Sequence, residues 1–225
     1  MSLLRLLHYT TGILLLTLAF ASWALTDEEA ERLFNDDWEQ RAAAVNEGQL
    51  VFFKDQQPNV HHHHNSLIIT PSSIKDGWIG LRQCHENLDP VSALEIVFRP
   101  ERIRDLTIES HANVEKVWIE GASVQMQNVG AHAAVCIRAT ALALQKEGEG
   151  YVLRSGPFMR KFLDGYYPMR VSVDITYPET YLRFANVTPS AQPGFMLRQQ
   201  PNSVHLEAVF EGRLNTEVHF QSIIN

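Results

Sequence analysis

The chain has 225 residues, 45% of them hydrophobic and 20% charged, with 12 Gly and 10 Pro. That balance belongs to a globular protein and excludes a disordered, collagenous or polytopic membrane one. Lys and Arg total 19 against 26 Asp and Glu, a formal net charge of -7; without a basic stripe to neutralise phosphates, a nucleic-acid partner is excluded.

Residues 1–24 read as a secretory signal peptide. Arg5 is the only charged side chain ahead of the apolar run Ile13–Phe20, and Ser22-Trp23-Ala24 puts small residues at the -3 and -1 positions of a cut before Leu25. The run is shorter than the ~20 residues that cross a bilayer, so the reading is cleavage rather than anchoring. No Cys stands near the cut to carry a lipid, and no later segment is apolar enough to span a membrane. The expected mature chain is periplasmic or secreted, with no transmembrane segment.

Residues 25–48 read as one amphipathic helix. Thr26 and Glu29 form a capping-box pattern. Ala30, Leu33, Phe34, Trp38, Ala42 and Val45 recur at helical spacing, and Gly48 supplies a stop. From Gln49 the period becomes that of strands. Leu50–Phe53, Ser66–Thr70, Trp78–Cys84, Ala93–Phe98, Leu106–Glu109, Lys116–Glu120, Ser123–Gln127 and Ala133–Leu144 read as strands, separated by turn signals such as Asp76-Gly77 and Asp89-Pro90. The many Ala residues of Ala133–Leu144 would also suit a helix.

After the Gly148-Glu149-Gly150 turn comes a strand over Tyr151–Arg154, then a short helix over Pro157–Leu163 with Phe158 and Phe162 on one face. Met169–Thr176, Tyr181–Ala185, Gly194–Leu197, Val204–Phe210 and Thr216–Phe220 return to strands. In the first of these, Val171, Val173 and Ile175 alternate with Ser172, Asp174 and Thr176, the pattern of a half-buried antiparallel strand. The fold class is mainly β: an antiparallel β-sandwich over 49–225 behind one N-terminal helix, with a subdivision near 146–150 as the second choice.

Cys84 and Cys136 are the only cysteines. An even count in an exported chain favours a disulfide. Parity allows it, since each thiol lies on the more polar face of its strand. The other unusual feature is His61-His62-His63-His64. On a strand, i and i+2 share a face, so His61 and His63 converge, and His85 is the nearest third imidazole in sequence. Neutral imidazoles suit Zn or Cu; the bland alternative is a set of hydrogen-bonded or solvated rings.

Catalytic signatures are missing from the sequence. It contains no G-x-S-x-G, H-E-x-x-H, P-loop or G-x-G-x-x-G. Ser72-Ser73-Ile74-Lys75 matches S-x-x-K but lacks its companion motifs and reads as a turn. The first functional reading is therefore an exported binding or accessory protein of the envelope, taking a small ligand or a protein partner. The second is a metal-binding (Cu/Zn) protein using the histidine run, and the third a hydrolase with an unfamiliar site.

Overall fold

A computed structural model describes residues 46–55, 59–162 and 164–223. The expected signal peptide lies outside the described residues. So does nearly all of the expected 25–48 helix; its last residues, Asn46–Gly48, are described and are not helical. There the Asn46 side chain accepts from the Gly48 amide at 2.7 Å, a local turn in place of a helix end.

In chain order the strands are β1 (Val51–Phe52), β2 (His62–Ile68), β3 (Trp78–Leu88), β4 (Val91–Val97), β5 (Ile103–Glu120), β6 (Ser123–Leu142), β7 (Leu144–Glu147), β8 (Gly150–Phe158), β9 (Arg160–Phe162), β10 (Gly165–Tyr167), β11 (Met169–Thr176), β12 (Leu182–Thr188), β13 (Phe195–Gln200), β14 (Ser203–Glu211) and β15 (Leu214–Ser222). One helical turn, α1 (Ser73–Asp76), and one 3-10 turn at Pro100–Arg102 interrupt them. Among the described residues, no helix is long and apolar enough to cross a membrane.

The protein is mainly β, in several sheets. The largest runs β1-β14-β11-β2-β3-β6-β4, with β13 also on β14 and β5 also on β6. The second is β12-β15-β8-β7, and β9 and β10 make a two-stranded ribbon. Strands from both sides of the β7–β8 turn, Glu147–Gly150, take part in the largest sheet. Alternation decides which face is inside: Met169, Val171, Val173 and Ile175 of β11 and Val204, Leu206, Ala208 and Phe210 of β14 are all buried. They join Leu153, Phe158, Leu182, Leu214, Val218 and Phe220 of the second sheet in one apolar cluster.

β11 corrects the antiparallel expectation on one side. It is antiparallel to β14 but parallel to β2, with Val171 beside His63 and Val173 beside Asn65. Parallel neighbours need a long crossover, and the whole segment from Ile69 to Pro168 supplies it. The expected helix over Pro157–Leu163 is also absent. β8 runs on to Phe158, and Arg160–Phe162 pairs with Gly165–Tyr167. Phe158 is buried and Phe162 is 38% exposed.

β5 and β6 merge strands that the sequence separates, and they form one long hairpin. β5 lies along β6 for almost its full length, while β3 and then β4 follow each other along β6, opposite Leu142–Ala133 and Val129–Ser123. All three lines break at the same level. β3 gives way to β4 at Asp89-Pro90, β5 shifts register between Ala112 and Val114, and β6 carries left-handed residues at Asn128 and His132. Asn87 and Asn113 are left-handed there too; Asn tolerates that region better than most residues. The ribbon turns back on itself at this corner. Residues of its tip (Ile119, Gly121, Ala122) and of its base (Ile103–Leu106) line one pocket. A second cluster, including Val124, Met126, Val129, Val135 and Ile137, fills the bend.

Gly212 turns β14 into β15 at φ 95°, where an added Cβ would overlap the Gln49 carbonyl oxygen. Gly212→Ala is expected to cost about 2–3 kcal/mol, combining left-handed strain with the backbone clash. The melting temperature should fall by roughly 5–10 °C, which differential scanning calorimetry reads directly.

Candidate functional site

The histidine run enters β2, and the strand period sorts it into two faces. His61, His63, Asn65 and Leu67 point inward; His62, His64, Ser66 and Ile68 point outward, where Ile68 is 52% exposed. Antiparallel register on β3 sets His85 opposite His63 and Gln83 opposite Asn65. The inward face therefore carries five polar side chains, of which Asn65, Gln83 and His85 are buried.

These groups form two hydrogen-bonded sets. Gln83 Nε2 lies 2.7 Å from His85 Nε2, and His85 Nδ1 lies 2.9 Å from His61 Nε2. An amide nitrogen can only donate, so His85 Nε2 accepts and His85 carries its proton on Nδ1. That proton is donated to His61 Nε2. Separately, His63 Nε2 donates to Asn65 Oδ1 at 2.9 Å, leaving the His63 Nδ1 lone pair without a partner among the described residues. The His63 ring packs on His85 at 4.3 Å between centroids and meets Phe158 edge-on at 5.0 Å.

Burial makes these rings neutral. It lowers His61 to about 4, with Asp89 working against the shift and Arg160 with it. It lowers His63 to about 3 and holds His85 well below its ordinary value, with the neighbouring imidazoles adding to the effect.

Above this floor opens a cleft of about 600 Å³. Leu94, Ile96 and Phe98 form one apolar wall, and Phe158, Met159 and Phe162 the other. The corner fixes the first wall by folding β4 back over the sheet. Arg160 fixes the second: its Nε donates to Asp89 Oδ2 at 2.9 Å, its Nη2 to Asp89 Oδ1, and the guanidinium lies beside the rings of Phe162 and Tyr167, which meet each other edge-on. An apolar cavity with a few convergent polar groups is the usual form of a ligand site.

The structure thus sets the rings of His61, His63 and His85 side by side, with His61 and His85 sharing a hydrogen bond and His63 bonded separately to Asn65. Two of the three rings spend their lone pairs on each other and on Gln83. Among the described residues, no three His, Cys, Asp or Glu side chains are placed to hold a metal ion. Cys84 and Cys136 form a disulfide between directly opposed residues of β3 and β6, so Cys84 is no thiolate ligand.

The outward face holds a different network. Asp174 joins two imidazoles, His64 Nε2 and His205 Nδ1, each at 2.7 Å, and Glu207 joins His205 to Arg170. His62 Nε2 lies 2.8 Å from Ser172 Oγ, with Glu86 3.4 Å from Nδ1. That order imitates a nucleophile, base and acid. However, Ser172 sits mid-strand between β2 and β14, where the ladder takes the backbone amides that an oxyanion would need.

Sequence reasoning missed Asn65 and Gln83, although β-strand parity marks both as inward. It could not find Phe158, Arg160 or the β4 wall, which reach the site only through tertiary packing. The chain matches no protein-family description and no curated protein.

Proposed function

We propose that this is an exported binding or accessory protein of the cell envelope, which takes an elongated amphiphilic group into the histidine-floored cleft. The observation that carries the reading is the cleft itself: apolar walls above buried, neutral, hydrogen-bonding groups. A neutral floor favours an uncharged polar head, because an ion there would lose its hydration without a counter-charge. The leader-like segment 1–24 and the disulfide support an oxidising, exported address. The apolar cluster shared by the two larger sheets supports a β-sandwich as the arrangement of 49–225.

Octanamide tests the reading. Its amide should reach the floor while its chain lies between Leu94 and Phe158. Titrated into tag-free protein, it is expected to shift the ring signals of His61, His63 and His85 in a saturable way, and octanoate should bind more weakly. Unmoved ring signals at millimolar octanamide would sink the proposal. Close approach of three imidazoles, 4.3–5.2 Å between ring centroids, favours Zn or Cu binding as a second reading. It requires breaking the Gln83–His85–His61 chain, and the same titration with either metal decides it: no saturable shift, or an equal one in the His61→Ala, His63→Ala variant, excludes this site.

A further inference from the structure

β4 is paired on one edge alone. Its ladder runs to β6, and no strand among the described residues occupies the other edge. β9 is likewise paired only with β10. Successive residues of a strand point to opposite faces, so a cavity lined by consecutive residues runs along the strand's edge. The cleft meets Leu94, Glu95, Ile96 and Val97 in turn on β4, and Arg160, Lys161 and Phe162 in turn on β9. The first wall is therefore an unpaired strand edge, and β9 adds a second beside Phe158 at the end of β8, with all of them lining the same cleft as the histidine floor.

An unpaired edge presents a row of backbone donors and acceptors, and proteins commonly blunt it with Lys, Pro or a bulge. β4 has none of these. Its sequence Val-Ser-Ala-Leu-Glu-Ile-Val carries one charge, Glu95, which accepts from Gln125, and its pairing with β6 is regular from Ala93 to Val97. Val97 is 70% exposed. The edge has the features of a template.

Resting on the cleft reading above, we infer that the occupant is a single extended segment of a partner polypeptide, added as a strand to the free edge of β4. Main-chain hydrogen bonds give such a complex its affinity and side-chain pockets its specificity. Alternate apolar side chains of the segment would lie against Leu94, Ile96 and Phe158. A hydroxyl or amide side chain between them would donate to the unpartnered His63 Nδ1. Charge complementarity selects a segment without strong net charge, since Asp89 and Arg160 neutralise each other at the rim and Glu95 and Lys161 oppose in sign.

The test uses the full, oxidised chain and a library of octamers alternating Val, Ile, Leu or Phe with Thr, Ser, Asn or Gln. At least one octamer should shift the His61, His63 and His85 ring signals and slow amide exchange within Val91–Val97 by tenfold or more. Methylating its alternate backbone nitrogens in the register facing β4 should weaken binding at least tenfold. Octamers that move the ring signals while β4 exchange stays unchanged, or that bind equally when methylated in either register, overturn strand addition and leave the cleft reading intact. Octanamide binding with no octamer binding has the same meaning. Failure of both octanamide and every octamer removes the cleft reading with it.

Discussion

Acidification from pH 6.5 to 4.5 is expected to remove a large part of the folding stability. In the native state His61 and His63 protonate only near pH 4 and 3, and His85 is held well below its ordinary value, all mainly through burial. In the unfolded chain the same rings protonate near ~6.5. As pH falls below that value the unfolded state binds protons that the native state refuses, so stability declines with decreasing pH until the native rings themselves titrate. Three fully buried rings would cost about 8 kcal/mol by pH 4.5. His61 and His63 keep a face on the open cleft, which reduces the figure to roughly 4 kcal/mol, still comparable to the total stability of many domains.

Carboxylates add to the loss only at the acid end of this window, because the unfolded chain's Asp and Glu begin to take up protons as pH approaches ~4.5. Burial raises Asp174 and Glu207, but their hydrogen bonds and ion pairs with His64, His205 and Arg170 outweigh it and leave both below their ordinary values. Urea unfolding at half-unit pH steps gives the slope. His61→Leu should lower it by about one proton. A stability that stays flat between pH 6.5 and 4.5 would show that the rings are hydrated and that the hydrogen-bond chain is not maintained in solution.

Removing the Cys84–Cys136 bridge is the second change with a large expected effect. The bond joins residues separated by 52 positions, and in the chain-entropy treatment releasing such a loop stabilises the unfolded state by about 4 kcal/mol. The bridge also ties β3, which carries His85 and Gln83, to β6 just below the corner that folds β4 over the cleft. The Cys84→Ala, Cys136→Ala variant should therefore unfold at lower urea concentration, with a loss near that figure, and the wild type in excess dithiothreitol should match it. A loss below ~1 kcal/mol in both would mean that the unfolded loop is already restrained. Two freely alkylatable thiols in native protein would remove the bridge itself.

What the sequence determined by itself was local. Strand period and turn residues located most strands after residue 49, because alternating burial and Gly, Pro or Asn turns act within a few residues. The same parity put His61 and His63 on one face and matched the faces of Cys84 and Cys136. Tertiary structure decided everything that depends on register between distant segments. Ala133–Leu144 could be read as strand or helix until pairing with β3 and β5 satisfied its backbone groups on both edges. Phe158 and Phe162 looked like one helical face, yet pairing of Arg160–Phe162 with Gly165–Tyr167 supplies hydrogen bonds that seven residues of isolated helix could not match. The three imidazoles were legible as a cluster, but their chemistry was not. Whether a lone pair faces a metal or a neighbouring N–H depends on where Gln83 and Asn65 fall, and that was settled by the β2–β3 register and by the corner that closes β4 over them.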